Sequence, residues 1–290
     1  MANRGAILAA AGAFVLATAM PLSQSSNSVI GTPRAAMRQP SSLADRLNGA
    51  PASPSLLSQG VIPAARSQDL EIGIAAEYNS LLEKILRDHA KFQANYFKAA
   101  SETEKKEVIG DAREYLIRTL TQSIFPAWYG TPWSFNGHTE VPKKDSIACG
   151  YFITTTLEHL GFKLNRYSMA RQPSENIIKN LVSNPDVLTR FSNEPIESFV
   201  KKIKEMGEGV YLVGLDIHVG FVVNINGSVI FTHSSYYPPR RVLSEGPFTV
   251  NPLRDSNYRV AGTLFDDGMV KKWLTGEKFR LEYDFFKGKK

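Results

Sequence analysis

One cysteine and two histidines carry the chemistry legible in this chain. Cys149 is the sole cysteine in 290 residues. The stretch Asp145-Ser146-Ile147-Ala148-Cys149-Gly150-Tyr151-Phe152 reads as a polar cap leading into an apolar-periodic helix. That spacing puts the sulfur in the first helical turn, where unpaired backbone N–H groups and the helix dipole favour a thiolate and lower its pKa. His218 and His233 fall on two apolar segments with strand character, 216–223 and 230–234. A thiol on a helix and an imidazole on a strand make up a nucleophile and its base. A lone cysteine by itself reads as a small buried hydrophobe; the two histidines move the reading to a thiol hydrolase. A second chemistry draws on the same region. Asp216, His218 and His233 could ligate a metal with a position open for water, Asp216 and His218 pointing the same way along a strand, although this leaves Cys149 idle. His89 and His159 lie in helical patterns as surface or packing residues, and His138 is a weaker candidate for substrate contact.

These side chains need elements to hold them. A nucleophile helix is expected over 146–160, ending at Gly161 as its cap. Strands are expected over 209–215, 218–225, 228–233, 241–243 and 258–265, with Asn226-Gly227 as a tight hairpin turn. A short helix should follow over 266–274. Upstream, residues 69–124 read as a two-helix extension. Tyr78, Leu81, Leu82, Ile85, Leu86, Phe92 and Tyr96 recur at helical spacing, and Ser101-Glu102-Thr103-Glu104 is a capping-box pattern. Phe125 to Glu140 is aromatic and broken by Gly and Pro, so it is expected as a loop that could line a cleft. Residues 165–206 look helical and loop-rich. The order, helices and then an antiparallel sheet, predicts an α+β fold with a catalytic domain over 125–290.

The run His218-Val219-Gly220-Phe221-Val222-Val223, the turn at Asn226-Gly227 and the run Ile230-Phe231-Thr232-His233-Ser234-Ser235 together resemble the paired strands of NlpC-type cell-wall peptidases, in the papain-like superfamily. Trp128-Tyr129-Gly130 resembles that family's Tyr-x-Trp-Gly type element, and Ser146–Phe152 resembles its Asp-Cys-Ser-Gly helix start. The resemblance covers roughly residues 125–245. It implies a papain-like fold with Cys149 as nucleophile, His218 as general base and His233 orienting His218. It also implies Tyr129 beside the nucleophile, with the Cys149 N–H a natural oxyanion donor at the helix start. Trp128, Trp133 and Phe135 of the aromatic loop are expected either to line the substrate cleft or to plug a core edge. The chain departs from the pattern at Ala148, where the family has Asp, and at Gly150, where it has Ser. Residues 165–206 lengthen the region between Cys149 and His218 and are expected to roof the cleft.

The N-terminus speaks to compartment. Arg4 precedes an apolar run from Ala6 to Ala19, and Ala17-Thr18-Ala19 fits a small-x-small cleavage pattern. A signal peptide over 1–19 and a periplasmic or extracellular protein are expected, an uncleaved anchor being the alternative. Residues 20–68, rich in Ser, Pro, Ala, Gly and Asn, read as a disordered tail. The net charge is +6, and five arginines against one aspartate before Gln68 supply most of it. The remainder carries no basic stripe, so nucleic acid is not expected as a partner. The resulting expectation is a monomeric, cofactor-free cysteine peptidase or amidase acting on peptidoglycan stem peptides, with no stable membrane insertion after cleavage. The alternatives are a non-catalytic peptidoglycan-binding or scaffolding domain and the metal-dependent hydrolase.

Overall fold

The structure is a computed structural model that describes residues 64–287, with side chains from residue 72 onward. The expected signal segment, its cleavage site and residues 20–63 lie outside the described residues. Helix α1 (Ala64–Lys98) begins within the stretch expected as tail. It buries Tyr78, Ile85, His89 and Tyr96, a stripe at helical spacing, while Leu86 faces solvent. Helix α2 (Glu102–Thr119) starts with the expected capping box: Ser101 Oγ accepts from the Glu104 N–H, and the Glu104 carboxylate accepts from the Ser101 N–H. The chain does not become a loop at Phe125. A π-turn over Leu120–Ile124 carries it into α3 (Phe125–Trp128), and the irregular segment begins only at Tyr129. The π-turn brings Pro126, which has no N–H, where the helical ladder is already out of α register.

Next come α4 (Cys149–His159), α5 (Arg166–Ala170) and α6 (Ser174–Leu181). They lead to β1 (Thr189–Ser192), α7 (Ile196–Glu205), β2 (Gly209–Leu215), β3 (Val219–Ile225), β4 (Ser228–Ser234) and β5 (Val242–Glu245). The chain finishes with α8 (Pro252–Asp255), β6 (Tyr258–Thr263) and α9 (Asp267–Thr275). The strands form one six-stranded sheet in the order β1-β6-β2-β3-β4-β5, antiparallel at every pairing. The β3–β4 hairpin turns at Asn226 and Gly227, both at positive φ, as the tight turn requires. This is an α+β architecture. No helix among the described residues is long and apolar enough to cross a membrane.

Both faces of the sheet are covered, which explains why β2 is buried almost throughout. Val210, Leu212, Val219 and Phe221 face a core shared with α1, α2, α4, α6 and α9. Tyr211, Val213, Val222 and Phe231 face the other way, onto Phe199, Val200 and Ile203 of α7. This alternation is the period-2 geometry of a strand. The 165–206 segment is therefore divided in its role. Its first part, α5 and α6, lies beside the start of α4. Its second part supplies β1 as an edge strand and α7 as a cover for the far face.

Candidate active site

Cys149 is the first residue of α4, but the helix begins three residues later than expected. Ile147 is still extended, bridged to His138, and the cap residue is Ala148, which offers no side-chain acceptor. Asp145 bonds only its neighbour, Ser146. The helix start is held instead by backbone and by β4. The Ile147 N–H donates to the Pro132 carbonyl, the Ala148 N–H to the Gly137 carbonyl, and the Ser234 hydroxyl to the Ile147 carbonyl at 2.7 Å. The small residue after His233 thus pins the start of the Cys149 helix to the histidine strand. Gly150 is required by packing, because a Cβ there would lie 2.2 Å from the Ala170 carbonyl oxygen. The close approach of the α5 end leaves no room for a side chain at this position.

The two histidines meet. His218 Nε2 lies 2.8 Å from His233 Nδ1, and both rings are buried. The chain continues: His233 Nε2 lies 2.8 Å from Oε1 of Glu245 on β5. Phe231 stacks on His233 with ring centroids 4.1 Å apart. Gly220 makes room for this pair, since a Cβ there would lie 2.4 Å from the Phe231 ring and 3.0 Å from the His233 Cβ. Cys149 packs against the helix-side core on one face of the sheet. His233 shares the opposite face with Phe231, and His218, the residue before β3, lines the cleft together with Cys149.

The electrostatics correct one expectation. The N–H groups of Cys149, Gly150 and Val219 do bond the sulfur and pull its pKa down, as a helix start should. Burial pushes harder the other way, and the thiol ends above its ordinary value. Cys149 is part-exposed as a residue, yet neighbouring atoms crowd its sulfur enough that desolvating the anion outweighs three backbone dipoles. Burial likewise holds His218 well below the ordinary imidazole value, helped by its neighbour His233. Both shifts favour the neutral forms, thiol and imidazole.

Cys149, Gly150, Ala170, Ile217 and His218 are shared by two arms of one cleft. The wide arm, of about 740 Å³, is walled by Trp133, Phe135, Tyr151, Arg171 and Tyr236. The narrow arm, of about 220 Å³, is walled by Gln172, Pro173, Ser174, Ile177 and Asp216. Residues 170–177 therefore form a side wall rather than the expected roof. The aromatic loop is fixed by buried Arg166, which bonds the His138 and Thr139 carbonyls and Glu140, and lies over the Tyr151 and Tyr167 rings.

Of the three residues expected toward substrate, only Trp133 lines the cleft. Trp128 is fully buried and its indole N–H donates to Tyr78, so it is a core residue. Tyr129 turns away, its hydroxyl 2.7 Å from Ser244 on β5. Both displacements follow from the extra helical turn of α3, which carries Trp128 inward. The residue beside the site is Tyr236, its ring centroid 5.3 Å from that of His218. Asp216 does not converge with the histidines as a ligand set. Its carboxylate accepts from the Ser256 hydroxyl and the N–H groups of Asn257 and Tyr258. No cluster of three or more His, Cys, Asp or Glu suited to a metal ion occurs among the described residues. His138 lies outside the cleft lining, and His89 and His159 are packing residues. Sequence reasoning missed Glu245 and Tyr236; the signal for Glu245 was an acid on a short strand following the histidine hairpin.

No family model, curated protein or solved structure matches the chain.

Proposed function

We propose that this chain is an exported cysteine peptidase or amidase of NlpC type, which hydrolyses peptide bonds in peptidoglycan stem peptides. The single observation that carries the reading is the 2.8 Å bond between His218 and His233 at a cleft that Cys149 also lines. Base, orienting residue and nucleophile are thereby gathered where a substrate can enter.

In the proposed reaction the peptide lies across the cleft, one arm on each side of Cys149. His218 takes the thiol proton as sulfur attacks the carbonyl carbon. The resulting oxyanion lies at the start of α4, where the N–H groups of Cys149 and Gly150 are free of helical partners. His218 returns the proton to the leaving amine, and the C–N bond breaks to leave a thioester. Water, losing a proton to His218, then cleaves the thioester and restores the thiol. The wide arm suits an apolar or aromatic-stacking portion of substrate, with the Arg171 guanidinium as the cation on its wall. Arg171 Nε donates to the Tyr167 carbonyl, and the guanidinium makes no ion pair with any described carboxylate. A carboxylate on the substrate, such as stem peptides carry, would complete it.

The test is digestion of purified peptidoglycan with the full chain, the released fragments being identified by mass spectrometry. New amino and carboxyl termini within stem peptides are expected, and none with Cys149→Ala. Binding of peptidoglycan without cleavage by the unaltered protein would replace this reading with a scaffolding one.

A further inference from the structure

Glu245 stands on β5, beyond the residues that a cysteine-and-two-histidine site requires. Its Oε1 lies 2.8 Å from His233 Nε2, and His233 Nδ1 lies 2.8 Å from His218 Nε2. We propose that Glu245 is a positioning residue that sets the tautomer of both histidines, leaving His218 with a bare Nδ1 to take the Cys149 proton. The proposal rests on the thiol-hydrolase reading above.

The argument is one of donors and acceptors. A neutral imidazole carries one ring proton, on one nitrogen or the other. Two imidazoles in series therefore have two consistent patterns. With Glu245 ionised, the carboxylate can only accept, so His233 donates from Nε2 and its Nδ1 is bare. That bare Nδ1 must receive a proton from His218 Nε2, and His218 Nδ1 is left unprotonated. With Glu245 protonated, every donor reverses. The carboxylic acid donates to His233 Nε2, His233 Nδ1 donates to His218 Nε2, and His218 Nδ1 carries the proton. In that pattern His218 cannot act as a base. The two patterns differ by one proton, entering at His218 Nδ1 and ending on Glu245.

The surroundings favour this division. Burial raises the Glu245 carboxyl above its ordinary value and lowers both imidazoles, which favours taking up the added proton on the carboxyl rather than as an imidazolium. The other titratable groups facing the chain are Cys149 on α4, Asp216 in the β2–β3 turn and Tyr236 beyond β4. Asp216 is held by Ser256, Asn257 and Tyr258. No lysine or arginine among the described residues pairs with Glu245, whose ion-pair partner is His233.

The experiment is two-bond nitrogen–proton NMR on the full chain with ¹⁵N-labelled histidine, comparing the unaltered protein, Glu245→Leu and Glu245→Gln. At neutral pH the unaltered protein should hold His218 and His233 with the proton on Nε2. On acidification both should switch to Nδ1–H together. Glu245→Leu should lose the Nε2–H preference at His233. Glu245→Gln, which can accept but does not titrate, should keep at least part of it and lose the acid switch. In parallel, Glu245→Leu should lower kcat on a stem peptide by on the order of 10²-fold or more with KM little changed, as a wrong tautomer does. Unaltered tautomers in Glu245→Leu, or Nδ1–H on His218 of the unaltered protein at neutral pH, would overturn the proposal. The NMR needs no substrate, so it separates the two ideas: the expected tautomers in a protein that cleaves no stem peptide would sustain Glu245 and defeat the peptidase reading.

Discussion

Two of the hydrogen-bonded histidine chains among the described residues make a contrast: one reaches the cleft that Cys149 lines, the other does not. In the core, the Trp128 indole N–H donates to the Tyr78 hydroxyl at 2.7 Å, and that hydroxyl lies 2.8 Å from His159 Nδ1. At the site, Glu245, His233 and His218 are linked by two 2.8 Å bonds toward Cys149. Both chains hold imidazoles that burial keeps neutral, His159 being pushed down to about 4. Their ends differ. An indole only donates, so Tyr78 receives from Trp128 and passes its own proton to His159, and the core chain has one direction. A carboxyl accepts when ionised and donates when protonated, so the site chain has two. The core chain is a fastener tying α1 to α3 and α4. The site chain can change state, and it ends at the cleft that Cys149 lines.

The comparison breaks first at the nucleophile. Cys149→Ala should abolish turnover of a stem peptide while leaving the melting curve close to that of the unaltered protein. His218→Ala should do the same, with a loss on the order of 10²–10⁴-fold or more. His233→Ala should fall short of that, and His233→Asn should retain more, because an amide can still hold the base. Unchanged turnover in His233→Ala would remove His233 from the site.

The second test concerns the resting charge state. A standing thiolate–imidazolium pair at the site would end its likeness to the neutral core chain. With the thiol raised by burial and His218 lowered, iodoacetamide should label Cys149 slowly at pH 6–7. The rate should climb only as pH passes above the ordinary thiol value of about 8.5. Labelling that is already fast and pH-independent near neutrality would mean that the ion pair forms.

The core chain should answer in the opposite currency. Tyr78→Phe leaves the Trp128 N–H and His159 Nδ1 without their partner, and should lower unfolding free energy by about 1–3 kcal/mol with turnover intact. His159 adds a pH dependence. Its folded pKa of about 4 lies below the ordinary value of 6.5, so on acidification the unfolded chain takes up its proton first. Stability is thus full above about pH 6.5 and falls as pH drops toward 4, by up to about 3 kcal/mol from this group. Denaturant titrations across that window should show the slope, and His159→Gln should lessen it by this group's share, leaving the part due to the other histidines that burial depresses.

What could be read in advance follows from how local each cause is. Strand β2 is a continuous apolar run, and its limits, Gly209–Leu215, are those expected. The Asn226-Gly227 turn sets the register that brings His218 and His233 together. Strand β1 is four residues long with one buried side chain, too short for a period to show. The fate of Trp128 and Tyr129 depends on the π-turn, which aromatic and proline content conceals. Glu245 on a short edge strand reads as an ordinary solvent-facing acid until β5 is paired beside His233. The thiol pKa was least legible, because its sign is decided by how tightly α4 packs against β3, a tertiary fact.

The smallest expected effect tests the finest of these differences. Family resemblance puts Tyr129 beside the nucleophile, but its hydroxyl bonds Ser244, which in turn lies 2.6 Å from Thr232. This hydroxyl chain fastens the end of α3 to β5 and β4, as Tyr78 fastens α1, but at a part-exposed position. Tyr129→Phe should therefore cost no more than about 1 kcal/mol of stability and leave kcat and KM of a stem peptide unchanged. Tyr236, whose ring packs against both His218 and Trp133, is the tyrosine whose loss should alter turnover. A fall in kcat for Tyr129→Phe with no change in stability would return Tyr129 to the nucleophile's side. The hydroxyl would then have to leave Ser244 during the reaction, and the cleft would differ in its working state from the one described here.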